Sequence, residues 1–173
     1  MTFKGHLAGG IVIGIAVASG APRLGYVPPG DQRLWAGVCA TAVFFSLFPD
    51  LDTSSVPQRW FFRVVFASLL YLGWSARYEL GLVVAVLAML PVVDHHRGWT
   101  HWKISPLIVP AFLGALYEYW HVRRSWPGAS SWSEVGPLLE GHLVFLAACV
   151  LGWYTHLLLD GCFRVFPVER GHH

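Results

Sequence analysis

The stretch DHHRGWTHW, residues 94–102, sets Asp94, His95, His96, Arg97 and His101 between two long apolar runs. Three other stretches match it in residue type: His6 in KGHLAGG, Asp50 and Asp52 in FPDLD, and His156 with Asp160 in THLLLD. Imidazoles and carboxylates together suit zinc, manganese or iron. A carboxylate-rich set can also hold two or more ions, and such centres activate water and clamp a phosphoryl or acyl group. Cysteine takes no part. Cys39, Cys149 and Cys162 lie in apolar contexts and form no CxxC pair, so they read as small buried hydrophobes and not as a disulfide framework or a thiolate zinc site.

Each piece has an ordinary reading beside the chemical one. His156 and Asp160 are four apart, one turn along a helix, and a hydrogen-bonded pair would satisfy that spacing as well as two ligands would. Asp50 and Asp52 follow Pro49 and could simply cap and end a helix. His6 alone is an interfacial histidine. Trp99 and Trp102 read as interface anchors. Arg97 is either one more interfacial cation or, beside a metal, a planar group fitted to a phosphate or carboxylate oxygen. His172 and His173 end the sequence and are left out of the candidate set.

The elements that must position these groups are apolar helices. The sequence is 55% hydrophobic and 13% charged, with mean hydropathy +0.51. An ordinary soluble domain is about 25% charged, so the composition predicts a polytopic membrane protein. The nine tryptophans and six tyrosines agree, because such rings favour the headgroup boundary. A net charge of +2 is too small to argue for nucleic acid. The apolar run after Lys4 lacks a small-residue cleavage site and is expected to be a retained helix.

Six apolar segments are expected as helices, roughly Gly5–Gly20, Leu34–Phe48, Trp60–Ser75, Leu80–Val93, Pro106–Trp120 and Leu138–Leu159. They show no sustained period-two alternation, which argues against strands. Most fall short of the ~20 residues that span a hydrocarbon core, so some are expected to be partly re-entrant. The connections APRLGYVPPGDQR and HVRRSWPGASSWSEVGP are rich in Pro, Gly and Ser and read as loops. The simplest architecture is all-α, one membrane-embedded bundle over residues 1–173. Six crossings put His6, Asp50, Asp52, His95, His96, His101, His156 and Asp160 on one membrane face, with His121 and His142 on the other. Seven basic residues (Lys4, Arg59, Arg63, Arg97, Lys103, Arg164, Arg170) then share the face of the candidate site, against five opposite. The positive-inside rule favours the site face as cytoplasmic.

In order along the chain, GHLAGG, LFPDLD, HHRGWTHW and LGWYTHLLLD resemble the YdjM-like family of LexA-regulated, inner-membrane-associated, metal-dependent hydrolases of bacteria. The resemblance runs from His6 to Asp160, and its most specific part is His96-Arg97-Gly98-Trp99-Thr100-His101. It implies a helical membrane protein with His6, Asp50, Asp52, His96, His101, His156 and Asp160 as ligands. It also implies a remote similarity to the all-helical zinc phospholipase C and nuclease group. This chain departs from the pattern at Thr53, where family members often carry a histidine, and at Trp102, where many carry serine. The first departure removes one ligand unless His95 replaces it.

The function expected from all this is metal-dependent hydrolysis at the membrane surface, on a phosphoester of a lipid or lipid-linked substrate. Two or more zinc or manganese ions would be held by those seven residues. Asp52 is a candidate general base as well as a ligand, Arg97 a stabiliser of phosphoryl charge, and Asp94 an orienting partner for a ligand imidazole. Two alternatives come from other classes: a small transporter or metal permease, since intramembrane His and Asp mark ion pathways, and a non-catalytic scaffold whose metal is a structural staple.

Overall fold

A computed structural model describes residues 3–26, 28, 30–52, 55–92, 99–125, 137 and 140–161. Among the described residues there are six principal α-helices and no strand. They are α1 (Phe3–Gly20), α2 (Gln32–Leu47), α3 (Val56–Trp74), α4 (Tyr78–Met89), α5 (Ser105–Ser125) and α6 (Leu143–Leu159). Each falls on one of the six segments expected from the apolar pattern.

The ends follow local chemistry. Asp31 caps α2, its carboxylate accepting from the backbone N–H groups of Arg33 and Leu34 at 3.0 Å. Ser55 caps α3 by accepting from Gln58 N–H at 3.2 Å, with Pro57 in the first turn, where no intrahelical donor is needed. Gly25 ends the 3-10 turn Ala21–Leu24 at φ 78°, a left-handed conformation that costs glycine little.

α1, α2 and α6 form the centre, and small residues let them come close. On α1 the buried positions are His6, Gly10, Gly14 and Ala18, spaced by four along one face. A side chain at Gly10 would collide with Ser46, one at Gly14 with the Cys39 backbone, and one at Gly152 of α6 with the Ala42 carbonyl. This is the small-residue packing by which apolar helices associate where lipid removes any hydrophobic advantage. One buried cluster, Ala18, Ala21, Val38, Ala42, Val144 and Ala148, fills the end far from the histidines. A second, richer in aromatics, joins Phe45, Phe48, Leu51, Cys149, Trp153 and Leu157 beneath them.

α5 lies against α6, whereas α3 and α4 pack chiefly on each other. Their hairpin meets the rest through the 3-10 turns Phe48–Asp52 and Leu90–Val92. α1 with its 3-10 extension (Phe3–Leu24) and α2 with its own (Gln32–Leu51) are long and apolar enough to cross a membrane. The other apolar helices are shorter, at Tyr78–Met89, Ser105–Leu116 and Leu143–Leu159. Of the six expected crossings, two therefore meet the length and apolarity required.

Candidate metal centre

His6 enters from the start of α1, Asp50 from the 3-10 turn that ends α2, His101 from the 3-10 turn Trp99–His101, and His156 and Asp160 from the end of α6. Elements far apart in sequence thus deliver imidazoles and carboxylates to one end of the bundle. His6, His101 and His156 are each 0–1% exposed.

His156 is the hub. Its Nε2 lies 3.8 Å from Asp50 Oδ1 and 3.6 Å from Asp160 Oδ2. Its ring stacks on His6 at 3.9 Å between centroids, 24° from parallel, and meets His101 edge-on at 5.4 Å. His6 Nε2 lies 3.1 Å from Asp160 Oδ1. Two overlapping groups result, His6–Asp50–His156 and His101–His156–Asp160, each with candidate ligand atoms within 4.8 Å of one another.

Neighbours fix these rings. His156 Nδ1 is 2.9 Å from the Ser46 carbonyl oxygen. A carbonyl oxygen only accepts, so Nδ1 must carry the proton, which leaves the Nε2 lone pair facing the carboxylates. Ser46 Oγ reaches the His6 carbonyl at 3.1 Å, tying α2 to the α1 ligand as well. Thr100 Oγ1 sits 3.0 Å from His101 Nδ1, and the Thr100 carbonyl accepts from the buried Trp153 indole at 2.8 Å. The Asp50 carbonyl accepts from Ser55 Oγ at 2.7 Å, and the Leu51 carbonyl from Gln58 Nε2 at 3.0 Å. These are the outer contacts that orient metal ligands in known centres.

The donor set fits a divalent cation. His6 Nδ1 and His156 Nε2 are buried and make no hydrogen bond. An unsatisfied buried polar atom costs about 1–3 kcal/mol, and the His156 Nε2 lone pair between the Asp50 and Asp160 carboxylates is a donor set that suits a divalent cation.

The chain matches the YdjM inner membrane protein family over residues 1–166. The chain belongs to that family. It is accordingly a membrane protein, which the composition and the two long apolar helices also indicate. The family description carries a location and no reaction. No curated protein and no solved structure matches the chain.

Of the residues that the YdjM resemblance implied as ligands, His6, Asp50, His101, His156 and Asp160 are brought together. Asp52 closes the 3-10 turn Phe48–Asp52, and its side chain lies outside the described residues. Asp94, His95, His96, Arg97 and Thr53 also lie outside them. The sequence reading missed Ser46, Thr100 and Trp153. Thr100 and Trp153 sat inside quoted motifs, HHRGWTHW and LGWYTHLLLD, and Ser46 just before LFPDLD. Ser46 and Trp153 act through a backbone carbonyl and an indole N–H, which no ligand spacing marks. Trp99, expected as an interface anchor, is half-buried and packs on the floor under the site, its ring centroid 6.4 Å from those of Phe48 and Trp153.

Proposed function

We propose that this protein is a metal-dependent hydrolase at the surface of the inner membrane. On this reading it cleaves a phosphoester of a lipid or lipid-linked substrate. The observation that carries the reading is the pair of three-ligand groups sharing His156. Among the described residues each group joins imidazole and carboxylate donors without cysteine, the donor type of centres that activate water and not of closed thiolate sites. The ions are zinc or manganese, two per chain; His156, its Nδ1 proton held by the Ser46 carbonyl, has one lone pair and ligates one of them.

When bound, they supply Lewis acidity, polarising a phosphoryl oxygen and making water acidic enough to lose a proton near neutral pH. His6, Asp50, His101, His156 and Asp160 hold the ions. Ser46 and Thr100 keep the imidazoles in the tautomer and direction that this requires. Asp52 accepts the proton from water, Arg97 pairs with the phosphoryl oxygens, and Asp94 orients a ligand imidazole. His96 adds a ligand, and His95 replaces the one missing at Thr53. The aromatic floor of Phe45, Phe48 and Trp153 closes the site toward the bundle, so water and substrate reach it from the headgroup side.

The chain crosses the membrane several times with the site on the cytoplasmic face, as the basic residues around it favour. Transport is the weaker reading. The helices below the histidines meet through Gly10, Gly14 and Gly152 with no room for a methyl group, whereas an ion path needs polar room through the membrane.

The test is metal content and turnover of the purified protein in detergent. Elemental analysis is expected to find two divalent ions per chain, and a panel of phospholipid and polyprenyl-phosphate esters at least one substrate. His101→Ala should abolish turnover with helical content unchanged. Bound metal with no ester cleaved across the panel would replace the enzyme by a metal-stapled scaffold, and metal flux in proteoliposomes without turnover would replace it by a permease.

A further inference from the structure

A second feature lies on α3, on residues that the metal centre does not use. Gln58, Arg59, Phe62, Arg63 and Phe66 line a shallow groove of about 390 Å3. Arg59 and Arg63 are exposed and four apart, so they stand one above the other along one face, one 5.4 Å turn apart. That separation lets two guanidinium groups converge on one phosphate, each with a planar fork of donors. The Arg63 guanidinium carbon lies 5.2 Å from the centre of the Trp60 ring, an aromatic contact that restrains the side chain before any ligand arrives. Neither arginine makes an ion pair with a carboxylate among the described residues.

The same face continues away from the arginines as Phe66, Leu70 and Trp74, which are 64%, 59% and 92% exposed. From Arg63 to Trp74 is about 16 Å of helix at 1.5 Å per residue. One leaflet of acyl chain is about 15 Å, half of a ~30 Å hydrocarbon core. The face therefore offers two cations and then an apolar strip one leaflet long, the charge and length of a phospholipid read in reverse.

We propose that this face of α3 binds an anionic phospholipid, with its phosphate between Arg59 and Arg63 and an acyl chain along Phe66, Leu70 and Trp74. Gln58 ties the site to the metal centre, because its side-chain amide holds the Leu51 carbonyl in the turn that carries Asp50. The proposal needs neither bound metal nor turnover.

The experiment is native mass spectrometry of the full-length protein released from nanodiscs of phosphatidylglycerol or phosphatidylcholine, with Arg59→Gln/Arg63→Gln beside wild type. The wild type should keep one phosphatidylglycerol per chain and no phosphatidylcholine. The double variant should bind phosphatidylglycerol more weakly by a factor on the order of 30, the product of two basic side chains at an anionic surface. Arg33→Gln, at the start of α2, removes an exposed basic side chain outside the groove and should behave as wild type. Metal content of the double variant should be unchanged, so loss of lipid with metal retained separates this site from the metal centre. Equal retention of both lipids, an equal loss in Arg33→Gln, or displacement of the lipid by millimolar inorganic phosphate would each overturn it.

Discussion

Ser46 is a small buried residue beside the metal centre, and it touches two of the candidate ligands. Its carbonyl draws the proton to His156 Nδ1 and its hydroxyl reaches the His6 carbonyl, so the two stacked imidazoles are registered against one point on α2. Thr100 plays the corresponding part for His101 through a side chain, which makes it testable. Thr100→Val keeps the volume and removes the hydroxyl. It is expected to weaken metal affinity by about 10- to 100-fold, the usual effect of losing an outer contact to a ligand imidazole, as measured by chelator competition. Wild-type affinity in Thr100→Val would remove the threonine from the centre. His156→Ala should do more: its Nε2 is the one lone pair common to both ligand groups, so elemental analysis should find the ion it holds lost.

At the scale of elements, the two helices that bring the most ligands carry them at the ends of small-residue seams. His6 heads the row Gly10, Gly14, Ala18, and His156 follows Ala148 and Gly152 at the same spacing. Gly152→Ala places a methyl against the Ala42 carbonyl. It should cost about 1–3 kcal/mol in a detergent unfolding assay and lower metal content as well, by shifting His156. Gly73→Ala on α3 meets nothing within 4 Å and should be neutral or slightly stabilising. If the two glycines behaved alike, close packing would not be what sets the site. These seams also mark how far the sequence could be read. The six helices were legible because apolar runs bounded by Pro, Gly and polar clusters are a local signal, and counting reversals put the candidate ligands at one end. Which helices touch was not legible. His6-x3-Gly10-x3-Gly14 is visible in the sequence, but that its partner is the Ser46 face of α2 depends on side-chain fit across 40 residues. The same holds for the Trp153 bond to Thr100, which links residues 53 apart.

At the scale of the molecule, the centre joins helices that otherwise meet through small apolar contacts. On the proposed function, removing the cations leaves carboxylates and imidazoles crowded in a buried space, so chelation should lower the melting temperature by several degrees and added zinc should restore it. An unchanged melting temperature after confirmed metal removal would show that the centre contributes nothing to holding the helices. The topology has its own test. Tyr26, 52% exposed beyond α1, and Trp102, 36% exposed beside His101, lie at opposite ends of the bundle. As single cysteines with Cys39, Cys149 and Cys162 replaced, they should react with an impermeant maleimide from opposite sides of the membrane. Labelling of both from one side would mean that the chain lies on the bilayer instead of crossing it.

The sharing of His156 between both ligand groups also has a consequence in time. Synthesis runs from α1 to α6, so His6, Asp50 and His101 are all made before the residue that completes either group. A nascent chain halted before α6 has His6 and Asp50 of one group, His101 of the other, and neither group complete. On the proposed function, capture of the cation waits until the last helix has docked against α1 and α2. Metal loading would report that assembly is finished, and a chain stalled or clipped before Leu143 would stay empty however much metal the cell supplied.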